Sequence, residues 1–226
     1  MRRFLVIFTA IAMGTASDMA VETPTSPPSY DRAFTLFLNF PRQQFGGDFD
    51  GNRFYLGPDA LVVVPDVDPA WGIGIGGGIK SRVSDNLAVG IDVVFNSAQH
   101  DVTWFGAPGE ASSFHVDIDF KLFLNARDRA QAYLLSGFSN SRLTVKDGHL
   151  TVSEAKDVTF TGRGFHIGTG LNYYLSPRVS LNTSLRHRWM SFDEIDFGDR
   201  SKIEPKLKST AVDAALALAY HFKLGQ

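Results

Sequence analysis

Residues 114–125 read FHVDIDFKLFLN. Phe114, Val116, Ile118, Phe120, Leu122 and Leu124 take every second position, against His115, Asp117, Asp119, Lys121, Phe123 and Asn125. A strand sends alternate side chains to opposite faces, so this period of two sets a wholly apolar face against a mainly polar one. The segment also has the length, roughly 9 to 11 residues, of a tilted strand that crosses a bilayer.

The same pattern recurs on both sides of it. Leu87, Val89, Ile91, Val93 and Phe95 alternate with Ala88, Gly90, Asp92, Val94 and Asn96. Trp71, Ile73, Ile75 and Ile79 alternate with Gly72, Gly74, Gly76, Gly78 and Lys80, and glycines at that density disfavour a helix. Segments 164–175, 179–190 and 211–222 follow suit, whereas 32–41 and 130–141 alternate only in part. That makes eight candidate strands. The connections alternate in length: SRVSDN at 81–86, ARDR at 126–129 and SPR at 176–178 are short and turn-like, whereas 42–69, 97–112, 142–158 and 191–209 are long. Short periplasmic turns and long extracellular loops are what an outer-membrane barrel requires.

A soluble sandwich or lipocalin-like barrel would show similar alternation, with its polar face in water. Such a face carries long charged side chains. Here it carries Gly72, Gly74, Gly76, Gly78, Gly164, Gly168, Gly170, Ala215, Ala217 and Ala219, which suit a crowded interior. Trp71 and Trp189 fall at loop-side strand ends, and Tyr173, Tyr220 and Phe222 at turn-side ends, as two interfacial aromatic girdles would. The reading is therefore all-β: an eight-stranded antiparallel up-and-down transmembrane β-barrel over residues 30–226.

Arg2 and Arg3 precede the apolar run Phe4–Met13 and the small residues Gly14-Thr15-Ala16, so residues 1–16 read as a signal peptide. Residues 17–29 read as a linker rich in Pro, Ser and Thr. A net charge of −2 gives no basic footprint for nucleic acid, and the absence of cysteine removes thiolate metal sites, disulfides and a lipidated cysteine.

Residues 79–95 (IKSRVSDNLAVGIDVVF), 168–192 (GTGLNYYLSPRVSLNTSLRHRWMSF) and the C-terminal LALAYHF at 216–222 resemble the small outer-membrane β-barrels that include the OmpA transmembrane domain, OmpX and OmpW. The resemblance implies the outer membrane of a Gram-negative bacterium, with loops that differ between members. It also implies that Phe222 is a terminal signal read by the insertion machinery, although here Lys223-Leu224-Gly225-Gln226 follows it.

An eight-stranded barrel is just wide enough for side chains to fill it. The inward charges are Asp92, Asp117, Asp119 and Asp213 against Lys80, Lys121, Arg186 and Arg188, and equal numbers point to an ion-pair network that plugs the lumen. A narrow channel is the alternative. A lipid A-modifying enzyme is a further one, with His187 as its candidate residue beside Trp189, Ser191 and Glu194, yet no spacing matches a catalytic signature. His115, His166 and His221 face inward at different heights and read as hydrogen-bonded rather than metal-binding; His100 and His149 read as loop residues. GIGIGGG at 72–78 lacks the following helix of a nucleotide site.

The first long connection, with Phe45, Phe49, Phe54, Tyr55, Leu61 and Val62 to Val64, is too apolar for a solvated loop and reads as a hairpin above the membrane or a contact surface. In the last, Lys202, Lys206 and Lys208 could meet lipopolysaccharide phosphates. The sequence thus points to a structural and surface-interaction protein without cofactor, metal or catalysis. Its partners would be membrane lipids, lipopolysaccharide, the insertion machinery and an unidentified extracellular ligand.

Overall fold

A computed structural model describes residues 32–51, 53–56, 61–104, 107–150, 155–197, 202–203 and 206–224. Side chains are described for these except 53–56, 61–63, 104, 107, 148–150, 155–156 and 202–203. The expected signal peptide and linker, and the side chains of Phe54, Tyr55, Leu61, Val62, Val63, His149 and Lys202, lie outside the described residues.

The strands are β1 (Arg32–Gly47), β2 (Arg53–Leu56), β3 (Leu61–Val64), β4 (Asp66–Val67), β5 (Ala70–Arg82), β6 (Leu87–Trp104), β7 (Ala107–Leu124), β8 (Ala130–Leu150), β9 (Ala155–Ser176), β10 (Val179–Asp196), β11 (Lys202–Ile203) and β12 (Leu207–Lys223). Eight of them form one antiparallel ring, in the order β1, β5, β6, β7, β8, β9, β10, β12 and back to β1. The ring leaves no unpaired edge, which is the condition for a sheet in lipid, where an exposed N–H or C=O finds no partner. The two partly alternating segments are the lower parts of β1 and β8. Pro41 sits where the β1–β5 ladder is interrupted, between Asn39↔Gly74 and Arg42↔Trp71, so its missing N–H breaks no bond there.

The apolar face points outward. Ile73, Ile75, Ile91, Phe95, Phe120, Phe138, Phe165, Ile167, Leu216 and Leu218 are all exposed, and together with their neighbours they form a belt around the ring. From Phe114 to Leu124 the belt runs about 34 Å along the strand, or roughly 26 Å along the axis at a ~40° tilt, the height of a transmembrane apolar band. Trp71 is 67% exposed at the upper margin of the belt, and Trp189 stacks on Phe165 with centroids 4.7 Å apart. At the lower margin Tyr220 meets Phe222 edge-on at 4.7 Å, Phe222 lies 5.9 Å from Phe34, and Arg129 covers Tyr173. Leu224 adds one further bond past Phe222, from its N–H to the Arg32 carbonyl.

The long connections differ from the loops expected. β6 and β7 pair without interruption to Trp104↔Ala107, β8 and β9 pair to Leu150↔Ala155, and β2 pairs with β3 as a hairpin. Most of segments 97–112, 142–158 and 191–209 is therefore strand, and the ring extends beyond the membrane. There the polarity of the alternation reverses. On β8, Leu134 and Phe138 face outward within the belt, with Ser139 and Ser141 inside; higher up, Asn140 and Arg142 face outward, with Leu143 and Val145 inside. Once the outer face leaves lipid for water it must be polar, and the interior is free to become an ordinary apolar core.

That core caps the lumen. Phe45, Phe49, Val67, Val102, Leu143, Phe160, Phe192 and Ile195 belong to one buried cluster. Phe49 is fully buried, edge-on to Phe160 at 5.4 Å and to Phe192 at 5.0 Å. On the outer face of the same level Lys146 binds Glu110 at 2.7 Å, and this hydrogen bond, then the charge itself, holds the Glu110 carboxyl below its ordinary value. A depressed carboxyl stabilises above its unfolded value and loses that contribution as pH falls through the folded one. Both groups are fully solvated, so Glu110→Gln is expected to leave the unfolding midpoint unchanged between pH 7 and pH 3.

Candidate functional site

The interior below the cap is the one place in the described residues where many ionisable groups converge, and β5 makes the room for them. Gly74 and Gly78 face inward, where a methyl group would overlap Asn96 Oδ1 and Asp92 Oδ1. At the centre, Arg188 is 1% exposed and bridges two strands: Nη2 and Nε donate to Asp213 at 2.6 and 3.1 Å, and Nη2 also donates to Asp117 at 3.1 Å. Its Nη1 reaches the other Asp117 oxygen and the Ser139 hydroxyl. Arg186 spans Asp117 at 3.4 Å and Asp119 at 2.9 Å. Below them Lys121 pairs with Asp92 at 2.5 Å.

Seven of the eight charges expected inside thus form one connected system or the pair next to it. Lys80 is the exception. It makes no ion pair among the described residues; its ammonium donates to Gln131 Oε1 and lies 4.2 Å over the Phe123 ring. A cation over an aromatic face is held by the ring quadrupole, so Lys80 has a neutral substitute for a carboxylate.

The inward histidines do not meet, and no group of metal-ligating side chains occurs among the described residues. Each instead pairs with a serine: His115 with Ser141 at 2.7 Å, His166 with Ser139 at 3.0 Å, and His221 with Ser180 at 2.7 Å. His100, expected in a loop, is on β6 and buried, 2.9 Å from Ser113 and 3.0 Å from the Asp68 carbonyl. These serines lie on three strands, β7, β8 and β10, each apart in sequence from its histidine, so only the register reveals the pairs.

One of them completes a Ser139–His166–Asp119 chain, with His166 Nε2 2.8 Å from Asp119 Oδ1. It has the members of a hydrolytic triad without the means to act as one. The Ser139 hydroxyl donates to Asp117 at 2.7 Å and accepts from Arg188, so its proton is not directed at the imidazole. Ser139 is 5% exposed and the other two fully buried, which leaves no approach for a substrate.

His187, the residue singled out for lipid chemistry, faces outward beside Trp189 at 4.3 Å, within the upper girdle. Among the lysines of the last connection, Lys206 and Lys208 are exposed.

Two cavities lined by described residues of the lumen are small. One of about 10 Å³ lies between Phe37, Lys121 and Arg186, and one of about 20 Å³ between Lys80, Asp92 and His221. Neither exceeds the space of a water molecule or so. Beneath them Phe123 and Tyr133 pack at 5.3 Å, and the single Tyr133 hydroxyl proton is donated to Asn182 Oδ1 at 2.5 Å, with the Thr183 carbonyl 3.0 Å away. Tyr133→Phe is expected to cost about 1 kcal/mol in a urea titration, the net worth of a buried neutral bond.

Comparison with known proteins agrees with this geometry. No curated protein matches. Among solved structures, a major outer membrane protein of Thermus thermophilus aligns over 84% of this chain and 99% of its own, at 11% identity and a TM-score of 0.52. The attachment invasion locus protein Ail of Yersinia pestis aligns over 85% and 99%, at 10% identity and a TM-score of 0.51. At such identities the likeness is one of fold. The family model described as the outer membrane protein beta-barrel domain matches residues 7–225, nearly the whole chain. With a closed ring, an outward apolar belt and that match, the chain belongs to the outer membrane protein β-barrel family, and its place is the outer membrane of a Gram-negative bacterium.

Proposed function

We propose that this barrel is a sealed scaffold, a structural and surface-interaction protein without catalytic activity. The observation that carries the reading is double closure: the Asp117–Arg188–Asp213 and Arg186–Asp119 pairs fill the lumen within the membrane, and the Phe49 cap covers it above. Ions that entered would have to displace buried partners from both arginines, each several kcal/mol in cost. The rigid ring then holds the extracellular connections for contact with envelope or extracellular partners, as scaffolded loops do elsewhere. Phe222 would serve as the terminal signal for the insertion machinery.

The absence of cysteine allows a direct test. Ser141→Cys places a thiol inside, at the boundary of network and cap, whereas Ser191→Cys places one on the exposed outer wall. A membrane-impermeant methanethiosulfonate reagent, added on both sides of vesicles, should label Ser191→Cys and spare Ser141→Cys. Equal labelling would overturn the sealed reading. A lipid-modifying activity would instead show as a changed lipid A mass in cells expressing the protein; the expected spectrum is unchanged, with or without His187→Ala.

A further inference from the structure

The outer wall is not uniform at its extracellular margin. On β8, β9, β10 and β12 the register sets Asn140, Arg163, Ser191 and Lys208 side by side, directly past Phe138, Phe165, Trp189 and Thr210. Arg142 stands two residues beyond Asn140, also outward. On the wall of β6 and β7 the corresponding outward positions are Gln99, Asp101, Glu110 and Ser112, polar or acidic. Basic groups thus gather on this wall and not on that of β6 and β7, and they do so over a groove of about 610 Å³ whose lining includes Phe138, Phe165, Trp189, Arg163, Ser191 and Lys208. None of its lining residues is acidic. Asp48, which accepts from the Lys208 backbone N–H at 2.8 Å, and Asp193, two residues past Ser191, are described carboxylates outside that lining.

We propose that this groove binds lipid A of the outer leaflet, with a phosphate between Arg163 and Lys208 and an acyl chain along Phe138, Phe165 and Trp189. Three features fit that occupant. The groove opens on the side of the ring opposite the three short turns, so it faces the leaflet that carries lipopolysaccharide. Its apolar half lies in the belt and its basic half just outside, the layout of an amphiphile with an anionic head. Arg163 makes no ion pair among the described residues, which leaves its guanidinium fork free for the two-point contact that phosphate accepts. The exposed Phe138 and Phe165, 65% and 50% accessible, supply a wall on which a chain can lie. This site is separate from the lumen, so its failure would leave the sealed-scaffold reading as it stands.

The test uses the full folded chain in detergent and native mass spectrometry. Bisphosphorylated lipid A is titrated against its dephosphorylated form and against phosphatidylglycerol. The wild-type protein is expected to hold the bisphosphorylated lipid roughly tenfold more tightly than either, the scale of one charge-assisted pair. R163Q/K208Q should erase that preference, whereas R42Q, at another basic outward position, should keep it. Inorganic phosphate should not compete. Equal binding of the phosphorylated and dephosphorylated forms would overturn the proposal, as would equal binding of phosphatidylglycerol or an unaltered double variant. If the double variant fails to show the heat-modifiable migration of a folded barrel, the three-lipid comparison on the wild-type protein decides alone.

Discussion

Arg188→Ala is expected to destabilise the folded barrel by about 3–5 kcal/mol, as removal of one partner from a buried ion pair does. The magnitude follows from what is left behind. Asp117 and Asp213 are buried, and both lose their principal cation at once. Arg186 still reaches Asp117, at 3.4 Å, yet it is already shared with Asp119. The exposed Lys146–Glu110 pair is the contrast, since water replaces either partner there. Urea unfolding in phospholipid vesicles would measure the difference. A loss under 1 kcal/mol would mean that water enters the network and that the lumen is not dry. Arg188→Ala with Asp117→Asn should cost less than the sum of the two single changes, because the second removes a charge that the first left unpaired.

Phe49→Ala is expected to cost a similar about 3–5 kcal/mol through a different mechanism, the cavity left by a large aromatic side chain. Phe49 lies just past β1, is fully buried and touches Phe45, Phe160 and Phe192, so its ring joins the first strand to β9 and β10. Three aromatic neighbours held on paired strands cannot collapse inward to fill the space. The cap and the Arg188 network share none of the residues named here, so the two losses should add within about 0.5 kcal/mol if the ring unfolds as one unit. Strong non-additivity, or a cap that melts in a separate transition by hydrogen exchange, would show that the extracellular extension is an independent unit.

How far the sequence carried depended on where the environment kept one rule. Within the membrane the rule is constant, apolar out and small or polar in, and FHVDIDFKLFLN states it without exception in its first nine residues. The belt, the girdles and the inward facing of Asp117, Asp119, Arg186 and Arg188 could all be read from that period. Above the membrane the period of two persists but its polarity reverses, as Arg142 and Leu143 show. The apolar phase of β8 ends at that switch, so 142–158 has the sequence character of a loop although most of it is strand. β1 was obscured by Pro41 and β8 by the neighbouring Leu134 and Leu135, each a local break in a pattern that pairing with both neighbours restores.

The site was legible as a set and not as a geometry. Equal numbers of charges implied pairing, but not that Lys80 would lie over Phe123 while Arg188 took two aspartates. Nor does any spacing join Ser139 to His166, or Arg163 to Lys208. The first pair is set by the β8–β9 register and the second by the β9–β10 and β10–β12 registers together, and a register is a property of the closed ring.

Planar-bilayer recording of the purified wild-type protein tests the sealed lumen most directly. No discrete conductance steps are expected in molar salt, with the same silence for Phe49→Ala, whose network remains in place. Reproducible unitary steps from the wild-type protein, abolished when Arg186 or Asp119 is charge-reversed, would contradict it.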